Sequence, residues 1–217
     1  MHDGARVLDL ETDLRLDEVR RFLGYPRGRE GSSRVEDRLF ALWDQALELI
    51  AGRGACTLVG REDALRAGVP APADSVGVAV CTIGPALEGA SARLAAGGEL
   101  LDALVFDAIG SAAAEACADA LNLELCRLAE ARGVAAAARV SPGYGDWDTT
   151  CQAALLALLP IEAVGVRLTS GGMMAPRKSV SFAVNLVAPG DALPASGSRC
   201  RRCGLPRCRH RDDAGPV

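Results

Sequence analysis

From Ser33 onward, apolar residues recur every three or four positions: Val35, Leu39, Leu42, Ala46, Leu49 and Ile50. That spacing predicts an amphipathic helix. Ser33 and Glu36 fit a capping box at its start, and Gly52 or Gly54 marks its end. Ahead of it, a short apolar start (Val7, Leu8, Leu10) leads into Asp17 to Tyr25, which reads as a short helix stopped by Gly24 and Pro26. Cys56 to Val59 and Val76 to Ile83 are β-branched, short and bounded by Gly or Pro, so both are predicted strands.

Gly84-Pro85 then opens a helix that Gly97-Gly98 closes. Glu99 to Arg132 contains no proline and is dominated by Ala, Leu and Glu, which predicts one long helix. Gly110 lies inside it among alanines. One internal glycine costs only about 1 kcal/mol, so the position suggests close approach of another helix or a ligand. Arg139-Val140 is a short extended segment, and Thr149 to Leu159 is apolar at helical spacing up to Pro160. Val164 to Thr169 and Ser179 to Val187 are predicted to pair as antiparallel strands across Gly171 to Pro176. Met173 and Met174 read as loop or core fillers.

Strands gathered at both ends around central helices predict an α+β fold, with the helices packed on a small antiparallel sheet. From Pro189 the composition turns to Pro, Gly, Ser and Arg, giving a body over residues 1–188 and a Cys/Arg-rich tail over 189–217.

Composition sharpens this picture. Nearly half the residues are hydrophobic but only 4% are aromatic, so the core is built from Ala, Leu and Val. The net charge is -4, yet residues 199–213 hold six Arg against two Asp, which leaves the rest of the chain near -8. An acidic body argues against a nucleic-acid partner. No apolar run has membrane-spanning length, and the first residues do not read as a signal peptide. A cytoplasmic location is therefore expected, where the eight cysteines act as thiols or metal ligands rather than disulfides. The two histidines, His2 and His210, lie near the ends, which argues against a catalytic triad. There is no phosphate-binding loop and no dinucleotide fingerprint.

Two segments carry candidate chemistry. Arg139-Val-Ser-Pro-Gly-Tyr-Gly-Asp-Trp147 holds an arginine, a Pro-Gly turn and two aromatics in one loop after the long helix. A guanidinium forks onto a carboxylate, Pro142-Gly143 lets backbone approach a ligand, and Tyr144 and Trp147 offer faces to a cation such as a sulfonium. The same stretch is also a good plain turn. In the tail, Cys200, Cys203, Cys208 and His210 have metal-ligand types and spacing. Three thiolates and an imidazole suit zinc, an iron–sulfur cluster is the other choice, and a basic tail with free thiols is the alternative to both. Cys56, Cys81, Cys117, Cys126 and Cys151 lie in apolar elements and read as core.

The Pro-Gly-Tyr loop, Leu168-Thr169, the Met174-Ala-Pro176 turn and Ser179-Val-Ser181 resemble the activation domain of vitamin B12-dependent methionine synthase. The likeness covers mainly residues 100–187, and short stand-alone members with Gly-Asp-Trp after the loop resemble the chain most. It implies that S-adenosylmethionine is held by Arg139, the backbone of Ser141 and Tyr144. It also points to Glu115, in Ala114-Glu-Ala-Cys-Ala-Asp119 of the long helix. Ser170 stands where the family has Glu, and the family's early Asp-Trp-Thr is missing. The resemblance further implies a reactivation role. Cob(II)alamin on a partner such as methionine synthase takes one electron from a flavodoxin or ferredoxin and a methyl group from S-adenosylmethionine. The products are methylcobalamin and S-adenosylhomocysteine. The chain is too short to contain the homocysteine, folate and cobalamin modules, so the corrinoid must arrive on a partner. A non-catalytic adaptor binding S-adenosylmethionine or a corrinoid protein, and an interaction protein with a zinc tail, are the other readings.

Overall fold

The computed structural model describes residues 4–189, so the tail cluster Cys200, Cys203, Cys208 and His210 lies outside the described residues. In chain order the elements are β1 (Arg6–Asp9), α1 (Leu16–Phe22), α2 (Ser33–Glu48), β2 (Arg53–Gly60), α3 (Arg61–Arg66), β3 (Ser75–Thr82), α4 (Ala86–Ala96) and α5 (Leu100–Glu130). They continue with β4 (Ala135–Ala136), α6 (Gln152–Leu156), α7 (Ile161–Val164), β5 (Arg167–Leu168), β6 (Met174–Ala175) and β7 (Ser179–Val187). A single 3-10 turn, Thr149–Cys151, precedes α6. The architecture is α+β: a five-stranded antiparallel sheet in the order β1-β2-β3-β7-β4 with helices on both faces.

Strand periodicity sorts side chains between those faces. Cys56, Ala79, Cys81, Phe182 and Val184 face α2, α4 and α5, whereas Ala55, Val76, Val78, Val80 and Ala183 face α6, α7 and Trp147. Both faces of the central strands are therefore buried, which explains why β3 reads as a continuous apolar run. The 31-residue α5 crosses the first face. It comes close because glycines lie beneath it: a Cβ at Gly77 would stand 2.9 Å from Leu125, and one at Gly54 would stand 2.9 Å from Leu121. Gly110 meets the expectation of close approach, since a Cβ there would reach Leu87 of α4 at 3.1 Å and Lys178 at 3.4 Å.

Three expectations need correction. Ser179 to Val187 does not form a local hairpin with Val164 to Thr169; it pairs along its length with β3, while the expected partner shrinks to β5, paired with β6. Val180, Phe182 and Val184 on one side and Ala183 on the other need two covered faces, which only an interior sheet position supplies. The capping box is absent as well. The N-cap is Ser32, and the Glu36 carboxylate instead accepts the Gly31 N–H at 2.7 Å and a fork from Arg20 at 3.1 and 2.9 Å. Finally, the short polar α3 was not expected, because six residues carry too little periodicity to read.

No helix among the described residues is long and apolar enough to cross a membrane.

Candidate functional site

The strand after α5 places Arg139. Ala136 pairs with Leu186 and Val140 bridges Ala183, so four steps along one strand answer three along β7. One extra residue in an antiparallel pair is a β-bulge, and it re-aims the side chains beyond it. Val140 thereby joins Ala183 in the core under α6 and α7, and Arg139 turns to the opposite face, toward α5. Without the bulge Arg139 would oppose Ala183 and point into the wrong layer.

Arg139 is 8% exposed at its side chain. Its Nη2 donates at 2.8 Å to Glu115 Oε2 and lies 2.8 Å from Asp119 Oδ1, carboxylates one turn apart on α5. The guanidinium carbon stands 5.5 Å from the centroid of the Phe182 ring, a cation–π distance. Nη1 is buried and has no hydrogen-bond partner. The Arg139 guanidinium thus faces two carboxylates of α5.

The loop beyond is pinned at both ends. Pro142 is buried, the Gly143 N–H donates to the Trp147 carbonyl at 2.7 Å, and the Tyr144 N–H donates to the Ser141 carbonyl at 3.2 Å. Gly143 has φ +90°, which favours glycine, and a Cβ there would stand 2.9 Å from Thr149. Tyr144 stands out at the tip, 62% exposed. Trp147 does not present an open face: it is 1% exposed and packs in the core under α6 and α7. Its role in the structure is to anchor the loop that carries Tyr144. The structure thus brings Glu115 to Arg139 and sets Ser141, Gly143 and Tyr144 in the loop that follows.

Asp119 and Phe182 join this set although neither was singled out beforehand. The signal for Asp119 was its i+4 spacing from Glu115, whereas the place of Phe182 depended on the β7–β3 pairing. The open concavity of about 230 Å³ lined by Gln45, Ala90, Arg93, Leu94, Glu99 and Phe106 lies between α2, α4 and α5 and contains none of these residues. Among the described residues, no group of three or more His, Cys, Asp or Glu side chains is placed to hold a metal ion.

Cys56, Cys81 and Cys117 are buried in the core on the α5 side of the sheet. Burial pushes the Cys117 thiol up to about 12 and the Cys56 thiol up to about 11, and it raises Cys81 as well. A thiol that stays protonated in the fold but ionises when unfolded favours the unfolded chain at high pH. Its contribution is intact below the ordinary value of 9.0 and is lost as pH rises through about 11 to 12. Urea midpoints should therefore fall above pH 9, and the fall should be shallower in Cys117→Ala. An equally steep fall in that variant would exclude the thiol as its source.

The fold and the site define a class: an α+β domain in which an arginine at the head of a Pro-Gly-Tyr loop meets two carboxylates of a long helix. No known family model matches the sequence, and no curated protein matches it significantly. Among solved structures, the crystal structure of the MetH reactivation domain bound to AdoHcy matches with a TM-score of 0.61. The sequence identity is 17%, and the match covers 84% of this chain and 78% of that one. The chain therefore has the fold of the MetH reactivation domain.

Proposed function

We propose that this protein is a reactivation module that binds S-adenosylmethionine and supports reductive methylation of cob(II)alamin carried by a partner corrinoid protein such as methionine synthase. The observation that carries the reading is Arg139, a buried guanidinium with one nitrogen on the α5 carboxylates and the other without a partner. The fold likeness to a domain bound to AdoHcy adds to it.

The residues fit the ligand. Arg139 Nη1 would donate to the α-carboxylate, a charge-assisted bond of the stronger kind. Glu115 and Asp119 would accept from the ammonium, and the Tyr144 ring would face the sulfonium. S-adenosylmethionine carries one net positive charge, which suits a site that holds two carboxylates. It should therefore bind more tightly than the product, a zwitterion with no net charge, most clearly at low salt. The backbones of Ser141 and Gly143 would close the loop side of the site.

The methyl group comes from S-adenosylmethionine and the nucleophile from the partner's cobalt after one-electron reduction by a flavodoxin or ferredoxin. This chain's contribution is proximity: it fixes the amino-acid end of the ligand so that the sulfonium methyl is presented at the surface. Tyr144, exposed at the loop tip, marks that surface. On this reading the tail cluster, Cys200, Cys203, Cys208 and His210, is a zinc or iron–sulfur site.

Calorimetric titration with S-adenosylmethionine tests the reading, and saturable binding is expected. The second step supplies methyl-labelled S-adenosylmethionine, a reductant and corrinoid-loaded methionine synthase lacking its own reactivation domain. Label should move to the corrinoid only when this protein is present. Binding without transfer would instead assign the protein as a non-catalytic adaptor, and no binding at millimolar ligand would remove the reading.

A further inference from the structure

We propose that Asn122 is a further ligand-binding residue, whose buried carbonyl oxygen accepts a hydrogen bond from an uncharged O–H or N–H donor on the nucleoside half of the S-adenosyl ligand. This inference rests on the function proposed above and extends its site along α5.

Three buried side-chain polar atoms among the described residues have no hydrogen-bond partner: Arg139 Nη1, Asn122 Oδ1 and Trp147 Nε1. Burying such an atom unpaired is unfavourable, so each needs an explanation. The first two are a donor and an acceptor associated with the same helix face. At 100° per residue, Glu115, Asp119 and Asn122 fall within about 60° of one another around α5, and Asn122 is about 4.5 Å along the axis beyond Asp119. Residues three apart on a helix are neighbours. Asn122 is thus the next polar group on the face that receives Arg139.

The chemistry assigns the halves. Arg139, Glu115 and Asp119 are charged and match the charged carboxylate and ammonium of the amino-acid end. Asn122 is neutral and offers a carbonyl acceptor, which suits a ribose hydroxyl or the adenine amino group. Asn122 lies about 10 Å along the helix from Glu115, a separation on the scale of the arm that joins the amino-acid end to the nucleoside.

A polar atom kept unpaired in the free protein and satisfied by ligand has a signature that a structural asparagine lacks. Removing it should weaken binding without weakening the fold, because an apolar residue of similar shape deletes an unsatisfied acceptor. Asn122→Leu and Asn122→Ala should therefore keep or raise the urea midpoint of the free protein. Both should bind S-adenosylhomocysteine roughly tenfold more weakly than wild type, the size expected for one hydrogen bond to a buried group.

The test titrates S-adenosylhomocysteine into wild type, Asn122→Leu, Asn122→Ala and Arg139→Ala. It then measures displacement by 5′-methylthioadenosine, which keeps the nucleoside and lacks the amino-acid end. Weaker binding of both ligands in the Asn122 variants, with Arg139→Ala affecting S-adenosylhomocysteine alone, is the expected result. Unchanged S-adenosylhomocysteine binding in both Asn122 variants alongside a loss in Arg139→Ala would overturn the assignment and leave the function standing. Failure of 5′-methylthioadenosine to compete in wild type, or its unchanged affinity in the variants, would overturn the placement on the nucleoside half. A wild type that binds neither ligand would remove the function and this inference together. Should Asn122→Leu fail to fold, Asn122→Ala gives the decision.

Discussion

Replacing Arg139 with alanine is expected to weaken S-adenosylmethionine binding by about 2 kcal/mol or more, close to thirtyfold, while leaving the protein folded. The binding loss follows from removing a buried guanidinium that lies against the α5 carboxylates. The fold should survive because the partners left behind can hydrate: Asp119 is 68% exposed at its side chain and Glu115 is 25% exposed. Two carboxylates that lose the Arg139 charge would repel each other more, so the variant should also respond more strongly to salt than wild type. Arg139→Lys is the informative companion. Lysine restores the charge between Glu115 and Asp119 but offers no second planar donor to a carboxylate. Stability should return while affinity stays well below wild type. Full affinity in the lysine variant would show that charge alone holds the ligand and would remove the role assigned to Nη1.

The largest loss of stability is expected at Phe182. This ring is fully buried at the centre of β7 and packs in the core beneath α5. Phe182→Ala should lose about 3–5 kcal/mol, a large share of the roughly 5–15 kcal/mol that holds a typical domain, and urea unfolding would measure it. The ring also lies under the guanidinium at 5.5 Å, so binding should weaken at urea concentrations where the variant is still folded. Phe182→Leu separates the two roles, since it keeps most of the buried apolar volume and removes the aromatic face. A stable Phe182→Leu protein with several-fold weaker binding is the expected outcome. Wild-type affinity in that variant would reduce Phe182 to core packing.

Much of this architecture was legible beforehand because it rests on local patterns. The long helix declared itself through an unbroken Ala- and Leu-rich run with no proline, and the Pro-Gly turn declared a loop that carries Tyr144. Gly110 announced a close contact because glycine inside a helix needs a packing reason. Beyond the local misses at the α2 cap and at α3, what could not be read shares one cause. The position of β7 between β3 and β4, the burial of Trp147 and the bulge before Val140 all depend on pairings between segments distant in sequence. Trp147 shows it plainly, because an indole in a polar loop looks available until α6 and α7 are known to fold over it.

By itself the sequence determined the elements and the chemical inventory: an acidic, alanine-rich body, one arginine in a Pro-Gly-Tyr loop, and carboxylates one turn apart on a long helix. Periodicity and turn chemistry act over a few residues, so a linear reading reaches them. Only the tertiary structure decided which groups meet. The bulge rotates Arg139 onto Glu115 and Asp119, sheet order puts Phe182 beneath it, and packing leaves Arg139 Nη1 and Asn122 Oδ1 buried without partners. A one-residue change of register sends every side chain beyond it to the opposite face, and that register is set by the burial of both sheet faces.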